Sequence, residues 1–369
     1  MRVGLNATCL NDRPSGAKQR FLGIYGALFQ RLPAVEFVVF EPRDCPVASW
    51  FSGLPNVSAR PTPVPSFGRL RKLAAGVGYW RQAFASASLD IYEAMHLPLV
   101  RPARGKAVLT IHDVRGLYPD SPTLHRVMFT IALRSALQRS DHVVTVSAAM
   151  REEILAFYPH TPVSVVYNGL DVGEVGSAMA ADRKAFLGKY GLPGDFVLAV
   201  GHFERRKNYP RLIEAMALLQ QRGLDCPLVI IGNDSGEGAA LKRLINALGL
   251  AGRVTLLTGL SDLEVRCAYQ LCSLFVFPSA YEGFGIPILE AMAAERPYVL
   301  SDLPVFREIT ENTAVYFPHD DIEAMANAIE RGLASSDLRE RLVCYGSQRV
   351  QAFGFARLAE QMVGVYGVG

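Results

Sequence analysis

A chain of 369 residues is long enough for two domains with full cores. Half of the residues are hydrophobic and 20% are charged, a globular profile, and a net charge of +3 is too small to argue for a nucleic-acid partner. No RNA-binding aromatic signature, zinc-finger spacing or apolar run of membrane-spanning length is present, which sets those classes aside. The six cysteines, Cys9, Cys45, Cys226, Cys267, Cys272 and Cys344, form no C-x-x-C pair and read as reduced core residues of a cytoplasmic protein.

At the N-terminus, "MRVGLNATCL" has too short an apolar run for a signal peptide and reads as a first strand, 2–6. Further strands are predicted at 36–40, 91–92, 106–111, 142–146 and 163–167. "YNGLDVGEVGSAMAAD" then loses periodicity and gathers glycine and alanine, as a linker would, so a domain boundary is expected near Asp171. Beyond it, apolar runs at 196–201, 228–232, 254–257, 274–277, 298–300 and 314–317 alternate with helical periods at 212–221, 239–248 and 262–271. This alternation predicts an α/β protein with two doubly wound, Rossmann-like domains facing a central cleft at the carboxyl ends of their strands.

The stretch "PSAYEGFGIPILEAMAAERPYVLSD" follows the apolar run at 274–277. Pro287 suits the first turn of a helix, predicted over 287–294, with Ile288, Leu289, Ala291 and Met292 on its apolar side. Gly283 and Gly285 remove side chains where a ligand would approach the backbone, and the helix start favours an anion such as phosphate. Glu282 and Glu290 flank that anion site, which suits hydroxyl recognition: a nucleotide sugar supplies both diphosphate and hydroxyls. A plain strand–loop–helix unit with a solvated turn explains the same residues. "VGHFERRKNYPRLIEA" places Arg205, Arg206 and Lys207 on a loop at a strand's carboxyl end, where cations pair with a diphosphate. "AVLTIHDVRGLYPD" sets His112 and Asp113 just past a first-domain strand, and "NDRPSGAKQRF" puts Gly16 before a helix without the G-x-G-x-x-G fingerprint of nicotinamide enzymes. No H-x-x-x-H or D-x-D spacing suggests a metal, and the G-x-S-x-G nucleophile elbow is missing.

With these pieces placed, the chain resembles the family 4 glycosyltransferases of the GT-B fold. Glu282 and Glu290 form the family's E-x7-E motif, "ERRKN" at 204–208 matches its basic loop, and "TIHD" at 110–113 matches its first-domain histidine motif. "VVTVSAAMREEIL" and "VVYNGLD" extend the match over nearly the whole chain. The resemblance implies transfer of a hexose from a nucleotide diphosphate with retention of configuration, no cofactor and no required metal. It looks most like bacterial polysaccharide mannosyltransferases, which implies GDP-mannose as donor and a glycan or lipid-linked oligosaccharide as acceptor. A UDP-glucose type or rhamnose donor, a nucleotide-sugar epimerase of similar architecture and a nucleotide-sugar sensor are the alternatives. The implied domains are an acceptor-side domain over 1–171, a donor-binding domain over 172–352, and a C-terminal helix, 353–369, packing back on the first. Among the residues carried over, Glu282 contacts the donor sugar, Glu290 binds ribose, and Arg206 with Lys207 holds the diphosphate. Main-chain N–H groups around Gly283, Phe284, Gly285 and Ile286 hold sugar and phosphates; Gly16 admits the phosphate, and His112 sits by the sugar. The chain departs from the family at His202, where many relatives carry arginine, and at the helix starting Gly16-Ala-Lys-Gln-Arg. Phosphate contacts are therefore also expected at Arg205 or Lys18.

One further segment draws notice. From Cys45 to Leu89 there is no acidic residue, and "FGRLRKLAAGVGYWRQAF" interleaves Arg69, Arg71, Lys72 and Arg81 with Phe67, Leu70, Leu73, Val77, Tyr79, Trp80 and Phe84. This predicts either contact with an anionic membrane on the inner face of the cytoplasmic membrane, or a buried helix with a basic edge.

Overall fold

The computed structural model describes residues 1–68, 75–76, 78–80, 82–84, 88–97, 99–118 and 122–367. The chain divides into two compact units: Met1–Gly169 with Phe355–Gly369, and Leu170–Gly354. The first unit holds β1 (Arg2–Asn6), β2 (Glu36–Glu41), β3 (Val57–Pro61), β4 (Ile91–Ala94), β5 (Lys106–Ile111), β6 (His142–Thr145) and β7 (Val163–Val165). These pair in parallel in the order β3-β2-β1-β4-β5-β6-β7. The central strands are buried on both faces, so they read as continuous apolar runs such as "EFVVFE" and "KAVLTI".

β3 is absent from the strands expected above. "VSARP" is exposed or half-buried at every residue and ends in a proline, so it carries no apolar signal and survives only as an edge. The helix Phe355–Tyr366 covers this unit's core with Leu358, Ala359 and Met362. It also sends Tyr366 to the buried Glu93 carboxylate, which Tyr25 and Thr110 also donate to.

The second unit holds β8 (Val197–Val200), β9 (Leu228–Ile231), β10 (Val254–Leu257), β11 (Leu274–Phe277), β12 (Tyr298–Ser301) and β13 (Val315–Phe317). Their order, β10-β9-β8-β11-β12-β13, is parallel throughout. Successive strands therefore leave β8 in opposite directions, and the reversal lies between β8 and β11. Ligands bind beyond the carboxyl ends of the strands at such a reversal.

Two expectations need correction. Trp80 is buried, stacked on Phe84 at 5.5 Å and packed against Phe40 and Tyr92, so it belongs to the core and not to a bilayer. The accompanying Arg69, Leu70, Arg71, Lys72, Leu73, Val77 and Arg81 lie outside the described residues. Among the cysteines, Cys45, Cys267 and Cys272 are buried, but Cys344 is exposed on the helix Ser336–Arg349.

Candidate functional site

In the second unit, the loops leaving β8 and β11 meet at the reversal. Gly201 follows β8 at φ +149°, and a Cβ there would lie 2.9 Å from the Lys207 ammonium, so glycine lets that side chain fold back across the strand end. Arg205–Lys207 form a short 3-10 turn, and Asn208 leaves it in the left-handed region. The Asn208 amide donates to the carbonyls of Pro278 (3.1 Å) and His319 (2.6 Å), while the Ala280 N–H donates to the Arg206 carbonyl at 2.7 Å. The basic loop and the glutamate loop are thus tied by one backbone bond and by the Asn208 side chain.

Glu282 stands at the junction. Its Oε1 accepts from the Lys207 ammonium at 2.7 Å and from the Ser279 hydroxyl at 2.8 Å, and its Oε2 pairs with the Arg206 guanidinium at 2.7 Å. Arg206 also pairs with Glu204 at 2.8 Å. The side chains of Lys207 and Glu282 are only 7% and 11% exposed. Burial raises the Glu282 carboxyl, but the Lys207 and Arg206 charges more than offset it and hold the group below its ordinary range. For Arg206, burial opposes the charge, yet Glu282 and Glu204 push its pKa up. Burial pulls the Lys207 ammonium down against the pull of Glu282.

The helix expected over 287–294 forms as Ile286–Ala293, with Pro287 in its first turn and Ile288, Leu289, Ala291 and Met292 buried. Gly285 caps it at φ +147°; a Cβ would press on Ile288, Phe306 and Ile309 at 3.1–3.3 Å. Glu290 lies one turn inside, where its Oε2 accepts from the Tyr269 hydroxyl at 2.7 Å. Burial raises the Glu290 carboxyl, and burial with the Glu290 charge raises the Tyr269 hydroxyl far above its ordinary value. Among the described residues, Glu290 Oε1 takes no hydrogen bond. Phe284 is buried edge-on against Phe353 at 6.0 Å, while Gly283 and Ile286 complete the turn into the helix.

Other expected residues stand apart. Arg205 is 89% exposed and reaches Glu237 at 3.4 Å, pointing away from the Glu282 cluster. His202 is half-buried, its Nδ1 has no partner, and burial lowers its pKa. Three residues of this site were not anticipated as such. Ser279 and Asn208 sit inside the quoted motifs, but Tyr269 lies on a different helix, Asp262–Leu271, and nothing local in the sequence marks it.

The first unit carries its own group. Ser15 caps the helix Gly16–Arg20, which continues through a π-turn, Phe21–Tyr25. Lys18 donates to the Asp12 carbonyl at 2.9 Å and lies over Trp50. Arg20 is buried, donating to the carbonyls of Val166 and Tyr167 at 2.8 Å. His112 follows β5, and burial, then the Arg20 charge, pushes its imidazole down to about 3, so it is neutral at neutral pH. Asp113 is exposed and accepts from the Arg115 N–H at 3.1 Å as a turn cap. Among the described residues no cluster of metal-ligating side chains occurs, and no helix is long and apolar enough to cross a membrane.

Comparison with known proteins now decides the family. The model described as "Glycosyltransferase Family 4" matches residues 25–174, and "Glycosyl transferases group 1" matches 184–349. Alpha-D-kanosaminyltransferase of Streptomyces kanamyceticus is 35% identical over 271 residues, covering 70% of this chain and 69% of that one. The chain belongs to glycosyltransferase family 4. The O-antigen chain mannosyltransferase RfbU of Salmonella typhimurium is 30% identical over 63% of this chain and 62% of its own length. The serotype-specific mannosyltransferase WbdA of Escherichia coli is 29% identical over 69% of this chain but only 32% of its length. The chain therefore spans less than two thirds of the length of those two relatives. Solved structures share the GT-B fold: Anabaena HepE in complex with UDP-glucose has a TM-score of 0.76 at 20% identity, covering 100% of this chain and 99% of that one. WaaG, involved in lipopolysaccharide biosynthesis, has a TM-score of 0.75 at 17% identity, covering both chains in full. At those identities the likeness concerns the fold alone.

Proposed function

We propose that this glycosyltransferase moves mannose from GDP-mannose, with retention of configuration and without a metal, onto a glycan or lipid-linked oligosaccharide during surface polysaccharide synthesis. The observation that carries the reading is the buried Glu282 carboxylate shared by Lys207 and Arg206 beside the Gly-Phe-Gly turn. Two cations fixed at the strand reversal, next to a helix N-terminus, provide the charge that a leaving diphosphate requires. Glu290 fits the ribose, because its Oε1 is unclaimed while Tyr269 fixes the other oxygen. The choice of mannose leans on the names of RfbU and WbdA, which are mannosyltransferases.

The same geometry bears on the mechanism. A carboxylate that already accepts three hydrogen bonds and titrates low is a poor nucleophile, which favours substitution on one face of the sugar. The bond from the anomeric carbon to phosphate breaks as the acceptor oxygen attacks from the same side. The leaving phosphate oxygen takes the acceptor's proton, and Arg206 with Lys207 stabilises the charge that develops there.

The test is a donor panel of GDP-mannose, UDP-glucose and a rhamnose nucleotide, read by mass spectrometry and by proton NMR of the product anomer, in excess chelator. The expected result is binding of GDP-mannose about tenfold or more tighter than the others, and a retained anomer formed without metal. Preference for another nucleotide sugar overturns the donor; activity restored only by magnesium or manganese overturns the metal-free reading.

A further inference from the structure

The helix Thr123–Arg139 of the first unit is apolar on both sides. Its inner side buries Leu133, Ala136 and Leu137. Its outer side presents Leu124 (74% exposed), Val127, Met128 and Ile131 (65% exposed). These positions follow the i, i+3, i+4, i+7 spacing of a single helix face. A solvated face with four large apolar side chains in one stripe marks an interaction surface, since scattered exposure would not be contiguous. Beside the stripe opens a pocket of about 370 Å³, lined by Leu99, Met128, Ile131, Ala132, Ser135 and Ala136. Only the Ser135 hydroxyl is polar among those side chains, so the lining fits hydrocarbon.

Charge identifies the occupant. The helix contains His125, Arg126, Arg134 and Arg139 and no acidic residue. Arg134 and Arg139 are exposed, flank the stripe and make no ion pair among the described residues. A second copy docked stripe to stripe would set this helix against itself, with no carboxylate on either copy of the helix to meet these arginines. A surface of hydrocarbon rimmed by phosphates matches both the stripe and its flanks.

We propose that this helix is a membrane-docking face. Leu124, Val127, Met128 and Ile131 enter the acyl boundary of an anionic bilayer while Arg134 and Arg139 meet lipid phosphates. This surface is separate from the segment around Trp80, whose ring is core. The docking does not depend on the donor or acceptor proposed above, so its test reads binding and not turnover.

The full chain is sedimented with vesicles of phosphatidylcholine, and of phosphatidylcholine with phosphatidylglycerol, at low and high salt. Binding is expected to the anionic vesicles and to weaken as salt screens the headgroups. Val127→Ser with Ile131→Ser should reduce partitioning by about tenfold or more, the loss for two exposed aliphatic groups that no longer enter hydrocarbon. Arg134→Gln with Arg139→Gln should flatten the salt dependence, and both double variants should unfold at the urea midpoint of the unaltered chain. Equal binding to neutral and anionic vesicles, no binding of the unaltered chain, or unchanged binding of the serine variant each overturns the proposal. So does a dimer that the serine variant abolishes in a chain that ignores vesicles.

Discussion

An ammonium buried as deeply as that of Lys207 needs a counter-charge, and Glu282 supplies it at 2.7 Å. The sequence places Glu282 beside an anion site as a contact for sugar hydroxyls. The structure gives it a second role: truncation leaves a buried cation without its carboxylate. Glu282→Ala is therefore expected to cost stability, about 3–5 kcal/mol, as well as transfer. Lys207→Met in the same chain should restore much of that stability while activity stays lost. Urea midpoints for the two variants decide it, and a single variant that unfolds at the unaltered midpoint sinks the assignment. Because the folded carboxyl titrates below its ordinary 4.5, its contribution is present above about pH 4.5 and lost as pH falls through the folded value.

At the scale of elements, close approach decides the sign of a substitution. Gly23 lies in the π-turn Phe21–Tyr25, where a Cβ would come within 2.2 Å of the Phe355 ring. In an open helix Gly→Ala stabilises by up to ~1 kcal/mol. Here Gly23→Ala is expected to destabilise by ~1–3 kcal/mol through overpacking, and Phe355→Ala should recover part of that loss. Simple additivity of the two changes in a double-mutant cycle would contradict the contact. The elements themselves were largely legible. Strands β1, β5 and β11 match their expected limits, because parallel strands covered on both faces are unbroken apolar runs, and the edge strand β10 matches because it happens to carry an apolar run of its own. β3 was not legible, since an edge strand needs no apolar pattern. The local part of the candidate site, Glu282 with Arg206 and Lys207, was visible as residue types at two strand ends. Their mutual pairing, and the bond from Tyr269 to Glu290, were not, because both depend on which loops the strand order brings together.

At the scale of the whole molecule, the chain visits the first unit twice, at Met1–Gly169 and again from Phe355. The returning helix closes the core with Leu358, Ala359 and Met362, all fully buried. Removing residues from 355 onward should expose those core contacts and leave the Glu93 carboxylate short of the Tyr366 donor. The second unit, with its own sheet, should keep its cooperative transition. Calorimetry of the truncated chain checks this; an unchanged transition for the first unit would mean that the last helix is dispensable.

That return has a consequence for synthesis. A ribosome delivers the chain from the N-terminus, so the first 169 residues emerge early but lack their closing helix until Phe355–Tyr366 has followed the second unit out. The second unit, Leu170–Gly354, is continuous and can complete before them. The half of the protein that is made first is thus the half finished last. In the interval its apolar groove stands open, and a stalled or prematurely ended message yields a chain with one finished unit and one sticky one.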